Sequence, residues 1–192
     1  MTLENLTIVP NDWRHAVLEK GFYPEDLPED WRMDYFLGQF GCAIIPAADW
    51  MGAESEDVED FLAELEDSLN PSNSLIFKLE ETVELEVVQS VFCSMSQALR
   101  ARVVAFLADS DDVAEIEGVP VISDKTPAAK IPSFGTLVSI DEVPSDPVSQ
   151  TKLLQNLVQE HGESNLLVLV QAGNFNVADL VNMQSIAEWL GY

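Results

Sequence analysis

Four charged residues, Asp12, Asp49, Lys78 and Glu80, each lie just after a short apolar run of the chain. If these apolar runs are parallel strands, their carboxyl ends share one edge of a sheet, which is where ligands bind in α/β proteins. Carboxylates that meet at such an edge could bind Mg²⁺ or Mn²⁺, or could act as a general acid and base. These four residues are therefore the candidate catalytic residues of a hydrolase or isomerase. Further polar residues follow the later apolar runs, namely Asp109, Asp124, Lys125, Asp141, Glu142, Gln171 and Asn174.

Aromatic residues stand beside two of these acids. Trp13 and Trp50 each follow an Asp, in "NDW" and "ADW". An aromatic ring beside an acid suits a sugar or a cationic ligand, and it equally suits core packing at the rim of a barrel. His15 could be a general base or a metal ligand, or an ordinary surface histidine. No His/Cys cluster has metal-ligand spacing, so no metal site is assigned and no resident cofactor is expected.

Apolar runs alternate with amphipathic patterns along the chain, and this alternation predicts the elements that would position these residues. Parallel strands joined by crossover helices are expected from it, and the runs are apolar enough for strands covered on both faces. The predicted strands cover 6–10, 42–47, 74–79, 103–108, 119–123, 136–143 and 165–172. The predicted helices cover 30–40, 55–69, 83–100, 146–161 and 176–190, with a short helical turn between 108 and 119 and a loop over 123–135.

The expected fold class is α/β in a single domain over residues 1–192. Two architectures fit the pattern. One is a small or incomplete TIM-barrel-like fold, and the other is an open doubly wound sheet. Seven strands in 192 residues are few for a closed barrel.

The net charge of this sequence is unusual. Nine Lys and Arg residues and 34 Asp and Glu residues give a net charge of −25. Such a chain repels nucleic-acid backbones and anionic lipid surfaces, so neither partner is expected. Three interpretations remain: a solvated surface that promotes solubility, a basic protein partner that binds around residues 54–67, or mimicry of a nucleic acid.

The cysteine content and the amino terminus indicate a cytoplasmic protein. Cys42 and Cys93 both lie in apolar surroundings and are expected to be buried free thiols, with a disulfide between them as the less favoured alternative. No apolar run approaches the length of a membrane span, and the first residues lack the pattern of a secretory signal.

The stretch "TIVPNDWRHAVLEKGFYPEDLPEDWRMDYFLGQFGCAII" resembles the start of the YecE-like family of uncharacterised bacterial TIM-barrel-like proteins. In that family a first strand leads to a Trp, a Phe-Tyr-Pro precedes a Leu-Pro, and a helix with aromatic residues leads to a second strand. The matching residues here are Trp13, Phe22, Tyr23, Pro24, Leu27, Pro28, Trp31, Tyr35, Phe36 and Phe40. The resemblance implies a divergent, shortened bacterial member whose aromatic residues cover one end of the barrel, and it adds Tyr23 to Trp13, His15 and Trp50 as ligand-binding candidates.

Departures from the family pattern favour a protein that has lost its site. The second strand of the family usually carries a Glu and an Asn, whereas this chain has Ala43, Ile44 and Ile45 there. The first hypothesis is therefore a non-catalytic, site-depleted protein that binds a ligand or a protein. The alternative is the hydrolase or isomerase with strand-end carboxylates described above. A homodimer is also expected, because an incomplete barrel would expose apolar edges.

Overall fold

The computed structural model describes residues 6–52, 55–80, 84–109, 114–123, 125–132, 134–161, 165–171, 173 and 175–192. In chain order the elements are β1 (Leu6–Pro10), α1 (Ala16–Gly21), a 3₁₀ turn (Glu29–Trp31), α2 (Arg32–Phe40), β2 (Cys42–Ile45), α3 (Ala47–Trp50), α4 (Ser55–Ser68), β3 (Ser74–Lys78), α5 (Leu85–Ser94), α6 (Gln97–Arg100), β4 (Val103–Ala108), β5 (Glu115–Ile116), β6 (Val119–Ser123), β7 (Ala128–Ile131), β8 (Gly135–Ile140), α7 (Pro147–His161), β9 (Asn165–Val170) and α8 (Val177–Trp189).

Two compact units divide the chain, and each has its own sheet. The discontinuous unit comprises the residues up to Asp26 and those from Pro127 onwards, and the continuous unit comprises Leu27–Thr126. The expectation of one domain over residues 1–192 stays a prediction.

The discontinuous unit contains the sheet β1-β9-β8-β7. Its central strand β9 pairs in parallel with both β1 and β8, and its apolar run Leu166–Val170 is fully buried. A parallel strand covered on both faces needs such an uninterrupted apolar run. Helices α7 and α8 pack against each other in this unit.

A buried glutamine connects these two helices. The Gln150 amide donates to the backbone oxygens of Pro144 (2.7 Å) and Asp179 (2.9 Å), and its own oxygen accepts from the Asn182 side chain (2.7 Å). Both N–H donors and the oxygen of the buried amide thus have hydrogen-bond partners, as burial of an amide requires. Asn182 thus acts in packing one helix on the other.

The continuous unit contains the sheet β2-β3-β4-β6-β5. Helix α4 buries Val58, Leu62 and Leu65 along one side and exposes acids on the other, as its period of 3.6 residues predicts. Helix α2 packs beside it and buries Phe36 and Phe40.

The predicted fold class is confirmed, because five of the seven strand pairings among the described residues are parallel and helices provide crossovers. All seven predicted strands are present, although those over 42–47, 74–79, 136–143 and 165–172 end one to three residues early. Within the described ranges, the paired strands form two sheets and not one closed ring.

One predicted segment was wrong in type because part of a hairpin replaces it. The predicted loop over 123–135 contains β7, which pairs antiparallel with β8 at the edge of its sheet. Its prolines, Pro127 and Pro132, flank the paired run, where their missing N–H groups leave the ladder intact. The helical turn predicted between 108 and 119 stays a prediction, because residues 110–113 lie outside the described residues. Later in the same segment, β5 pairs antiparallel with β6.

The predicted helix over 83–100 is also wrong, since it consists of α5 and α6 with a break between them. Met95 is extended at ψ 151°, and the Ser96 hydroxyl accepts from the Leu99 backbone N–H (3.0 Å). A serine that caps a new helix in this way ends the preceding one. The sequence pattern also missed the short helices α1 and α3.

Two expectations about burial are corrected as well. Cys42 is buried but Cys93 is exposed, although both are free thiols. Trp31 and Tyr35 are exposed, so they do not cover an end of a sheet as the aromatic pattern predicted.

Candidate functional site

The carboxyl ends of β1 and β9 are joined by a pair of amide side chains in the discontinuous unit. The Asn11 side chain donates to the Gln171 side-chain oxygen (2.8 Å). The Asn11 backbone N–H also donates to Val170 (3.1 Å), and that of Gln171 donates to Ile140 (2.8 Å). These hydrogen bonds extend the pairing of β1 with β9, and of β9 with β8, by one residue beyond the strands.

An open groove of about 630 Å³ lies within the discontinuous unit, among segments that follow β8 and precede α8. Its lining residues are Val17, Lys20, Gly21, Glu142, Val143, Phe175, Asn176, Val177 and Ala178. This is the end of a parallel sheet at which α/β proteins bind small molecules.

Opposite charges line this groove together with apolar side chains. Lys20 and Glu142 are both exposed, and neither forms an ion pair with another described residue. Val17, Val143 and Phe175 provide apolar surface between them. The arrangement can receive a small molecule that carries an anionic group, a cationic group and an apolar part.

His15 supports one wall of this groove. Its Nδ1 accepts from the Val17 backbone N–H (3.2 Å) and so caps helix α1, and its ring lies 5.0 Å from that of Phe175. Because the lone pair of Nδ1 is used in this bond, a neutral His15 carries its proton on Nε2. His15 thus orients Phe175 and the first turn of α1.

Trp13 and Tyr23 are buried in the same unit. The Tyr23 hydroxyl donates to the Trp13 backbone oxygen (2.7 Å), and the Arg14 guanidinium lies 4.5 Å from the centre of the Trp13 ring. These are packing contacts, as expected if the Trp of "NDW" belongs to the core and does not bind a ligand.

Trp50 fills the carboxyl end of the sheet in the continuous unit. It is fully buried, with its ring 4.8 Å from Phe77 and 5.9 Å from Phe106, and its Nε1 donates to the Lys78 backbone oxygen (3.0 Å). A bulky ring at this place leaves little room for a ligand at the ends of β2 and β3.

The four candidate catalytic residues belong to different units. Asp12 lies in the discontinuous unit, where its carboxylate accepts from the Arg14 backbone N–H (2.8 Å), whereas Asp49, Lys78 and Glu80 lie in the continuous unit. In the described part of the chain, no three His, Cys, Asp or Glu side chains gather as a metal site would require. Two other strand-end candidates, Asp124 and Asn174, fall outside the described residues. The carboxylate site therefore stays a prediction.

Sequence reasoning missed most of the groove. Glu142 was found as a strand-end acid, and the predicted helix over 176–190 located the turn into α8, but Lys20 was not found. The turn into α8 contains Asn176, whose side chain accepts from the Ala178 backbone N–H (2.8 Å) and caps α8. An Asn followed three residues later by an acid marks the start of a helix, and hence this wall of the groove.

Comparison with known proteins places the fold. No protein-family model and no curated protein matches the sequence. The crystal structure of a DUF72 family protein from Thermotoga maritima is similar with a TM-score of 0.56 and 9% sequence identity, over 98% of this chain and 100% of that chain. At that identity the likeness establishes the fold, which agrees with the fold that the YecE-like resemblance implies. No described helix has the length and apolar character that a membrane crossing requires.

Proposed function

We propose that this protein binds a small zwitterionic metabolite in the groove of the discontinuous unit and does not transform it. The single observation that carries this proposal is the position of the groove, which holds one cation, one anion and apolar surface at the ligand-binding end of a parallel sheet. An amino acid or a similar small molecule has the matching groups.

Binding without catalysis is supported by the apolar, filled strand ends of the continuous unit. Ala43, Ile44 and Ile45 are completely buried where the resembled family carries a Glu and an Asn. Trp50 occupies the space beyond them. An enzyme of this fold would need polar groups that converge on a substrate at such positions.

The ligand chemistry follows from Lys20 and Glu142. A carboxylate of the ligand would accept from the Lys20 ammonium, and an ammonium of the ligand would donate to the Glu142 carboxylate. Phe175 would then cover the apolar part of the ligand, with its ring kept in place by His15.

The proposal also includes the family of this protein and its location in the cell. The DUF72 fold neighbour and the aromatic pattern of residues 7–45 support a divergent member of the YecE-like family. The two free thiols support a cytoplasmic location.

A thermal-shift screen with the twenty free amino acids tests the proposal, because a ligand that binds only the native state raises the unfolding midpoint. Each hit is then titrated by calorimetry against Lys20→Ala and Glu142→Gln. Each variant is expected to bind about 10- to 100-fold more weakly, the effect of losing one charged hydrogen bond.

Lys152→Ala and Glu188→Gln are the matched controls, since both residues are exposed and lie in the same unit outside the groove. They are expected to bind like the wild type. The proposal is wrong if none of the twenty compounds shifts the midpoint, if the controls weaken binding equally, or if the wild-type protein consumes the ligand.

A further inference from the structure

We infer that the exposed face of helix α2 docks an Arg/Lys-rich segment of a partner protein. This α2 face comprises Glu29, Asp30, Trp31, Asp34 and Tyr35, all of them exposed. It lies in the continuous unit, so the inference is independent of the groove and of its ligand.

Two aromatic side chains lie on the solvent side of this helix, although other apolar side chains already form its buried side. Trp31 is 60% exposed and Tyr35 is 43% exposed, while Met33, Phe36 and Phe40 provide the buried side. Residues four apart on a helix lie on the same side of it, so Trp31 and Tyr35 share one exposed side of α2. Large aromatic side chains that share one exposed side of a helix are typical of a surface that another molecule covers.

Carboxylates flank Trp31 and Tyr35 along the chain. Glu29 and Asp30 precede Trp31 in the 3₁₀ turn, and Asp34 lies between the rings in sequence. Helix α4 packs beside α2, and its sequence SEDVEDFLAELEDS has seven acids and no Lys or Arg. Arg32 is the one cation among residues 29–40 and is half-buried, so the residues around the aromatic pair keep a net negative charge.

Charge complementarity decides which partner fits. A guanidinium or ammonium can lie over the faces of Trp31 and Tyr35 while the neighbouring carboxylates pair with it. A second copy of this chain is disfavoured, because each copy carries a net charge of −25. A basic peptide segment satisfies both the rings and the acids.

Fluorescence anisotropy with a labelled peptide of alternating Arg and Gly tests the inference, with a peptide of alternating Glu and Gly for comparison. The wild-type protein is expected to bind the Arg peptide, more weakly as NaCl increases, and not the Glu peptide. The double variant Trp31→Ala/Tyr35→Ala keeps every charge and is expected to bind about 5- to 30-fold more weakly, as the loss of two exposed cation–π contacts predicts.

Trp189→Ala is the matched aromatic control, since Trp189 is exposed but lies in the discontinuous unit. It is expected to bind the Arg peptide like the wild type.

The pair Asp30→Asn/Asp34→Asn is compared with Glu86→Gln/Glu188→Gln, which removes the same number of exposed charges elsewhere. Only the first pair is expected to weaken binding. Thermal melting confirms that each variant is folded. The inference is overturned if the wild type binds neither peptide, if the aromatic double variant binds as tightly as the wild type, or if Trp31→Ala instead dissociates a homodimer in sedimentation.

Discussion

Trp50 is the residue whose contacts make the most direct prediction about stability. Its ring is fully buried against Phe77 and Phe106, and its N–H is bonded to Lys78. Trp50→Ala should lower the free energy of unfolding by about 3–5 kcal/mol through the cavity that it leaves, and Trp50→Phe by about 1–2 kcal/mol. Urea denaturation measures both. Trp189→Ala, at a side chain that is 87% exposed, should change the same quantity by less than about 0.5 kcal/mol. Equal losses at the two positions would contradict the packing role of Trp50.

Cys42 predicts how stability depends on pH. Burial raises the pKa of its thiol from 9.0 to about 12. Between these two pH values the unfolded chain loses the proton and the folded chain keeps it. The thiol therefore has no effect on stability below pH 9, and from pH 9 upward it lowers the free energy of unfolding by about 1.4 kcal/mol per pH unit.

The Cys42→Ala variant isolates this effect from other groups that titrate at alkaline pH. Urea denaturation at several pH values from 8 to 10.5 should give parallel curves of stability below pH 9 and a steeper decline for the wild type above it. Identical declines for the two proteins would show that the thiol is not shielded from water.

At the scale of elements, the sequence predicted those that bury continuous apolar runs. The strands at 6–10, 103–108 and 119–123 were predicted with the bounds that the structure has, because β-branched and aromatic residues fill them. Strand β7 was missed because Pro127 and Pro132 surround it, and a local pattern cannot tell an edge strand between prolines from a loop.

The candidate site was harder to predict than the elements. The apolar pattern located strand ends and hence Glu142, but a groove depends on which segments meet in space. Lys20 reaches it from a helix of only six residues, which is too short to have a periodic signal of its own.

Gly135 fixes the start of strand β8 and gives a prediction for that element. Its φ is +151°, and a Cβ atom there would collide with the backbone of Asn165, its partner in β9. Gly135→Ala should therefore lower the free energy of unfolding by more than about 2 kcal/mol.

Gly38→Ala in α2 is the matched control, because no atom lies near the added methyl group. It should raise the same quantity by about 0.5–1 kcal/mol. Circular dichroism during urea denaturation measures both, and equal effects would contradict the close approach of β8 to β9.

At the scale of the whole molecule, the net charge of −25 determines how salt acts. Repulsion among the carboxylates destabilises the compact state, and salt screens it. Raising NaCl from 0.05 to 0.5 M should increase Tm by about 2–8 °C, which corresponds to roughly 1–2 kcal/mol. Differential scanning calorimetry measures the change, and KCl should act equally since the effect is one of ionic strength. A Tm that falls with both salts would mean that attractive ion pairs outweigh the repulsion.

Ligand binding at the strand-end groove of the discontinuous unit is tested most directly by NMR titration of the ¹⁵N-labelled protein with the twenty free amino acids. The account predicts that a binding amino acid shifts the amide signals of Lys20, Gly21, Glu142, Val143 and Phe175–Ala178, while the indole N–H of Trp50 in the filled end of the other sheet does not move. The absence of any shift, or shifts centred on the Trp50 indole, would contradict it.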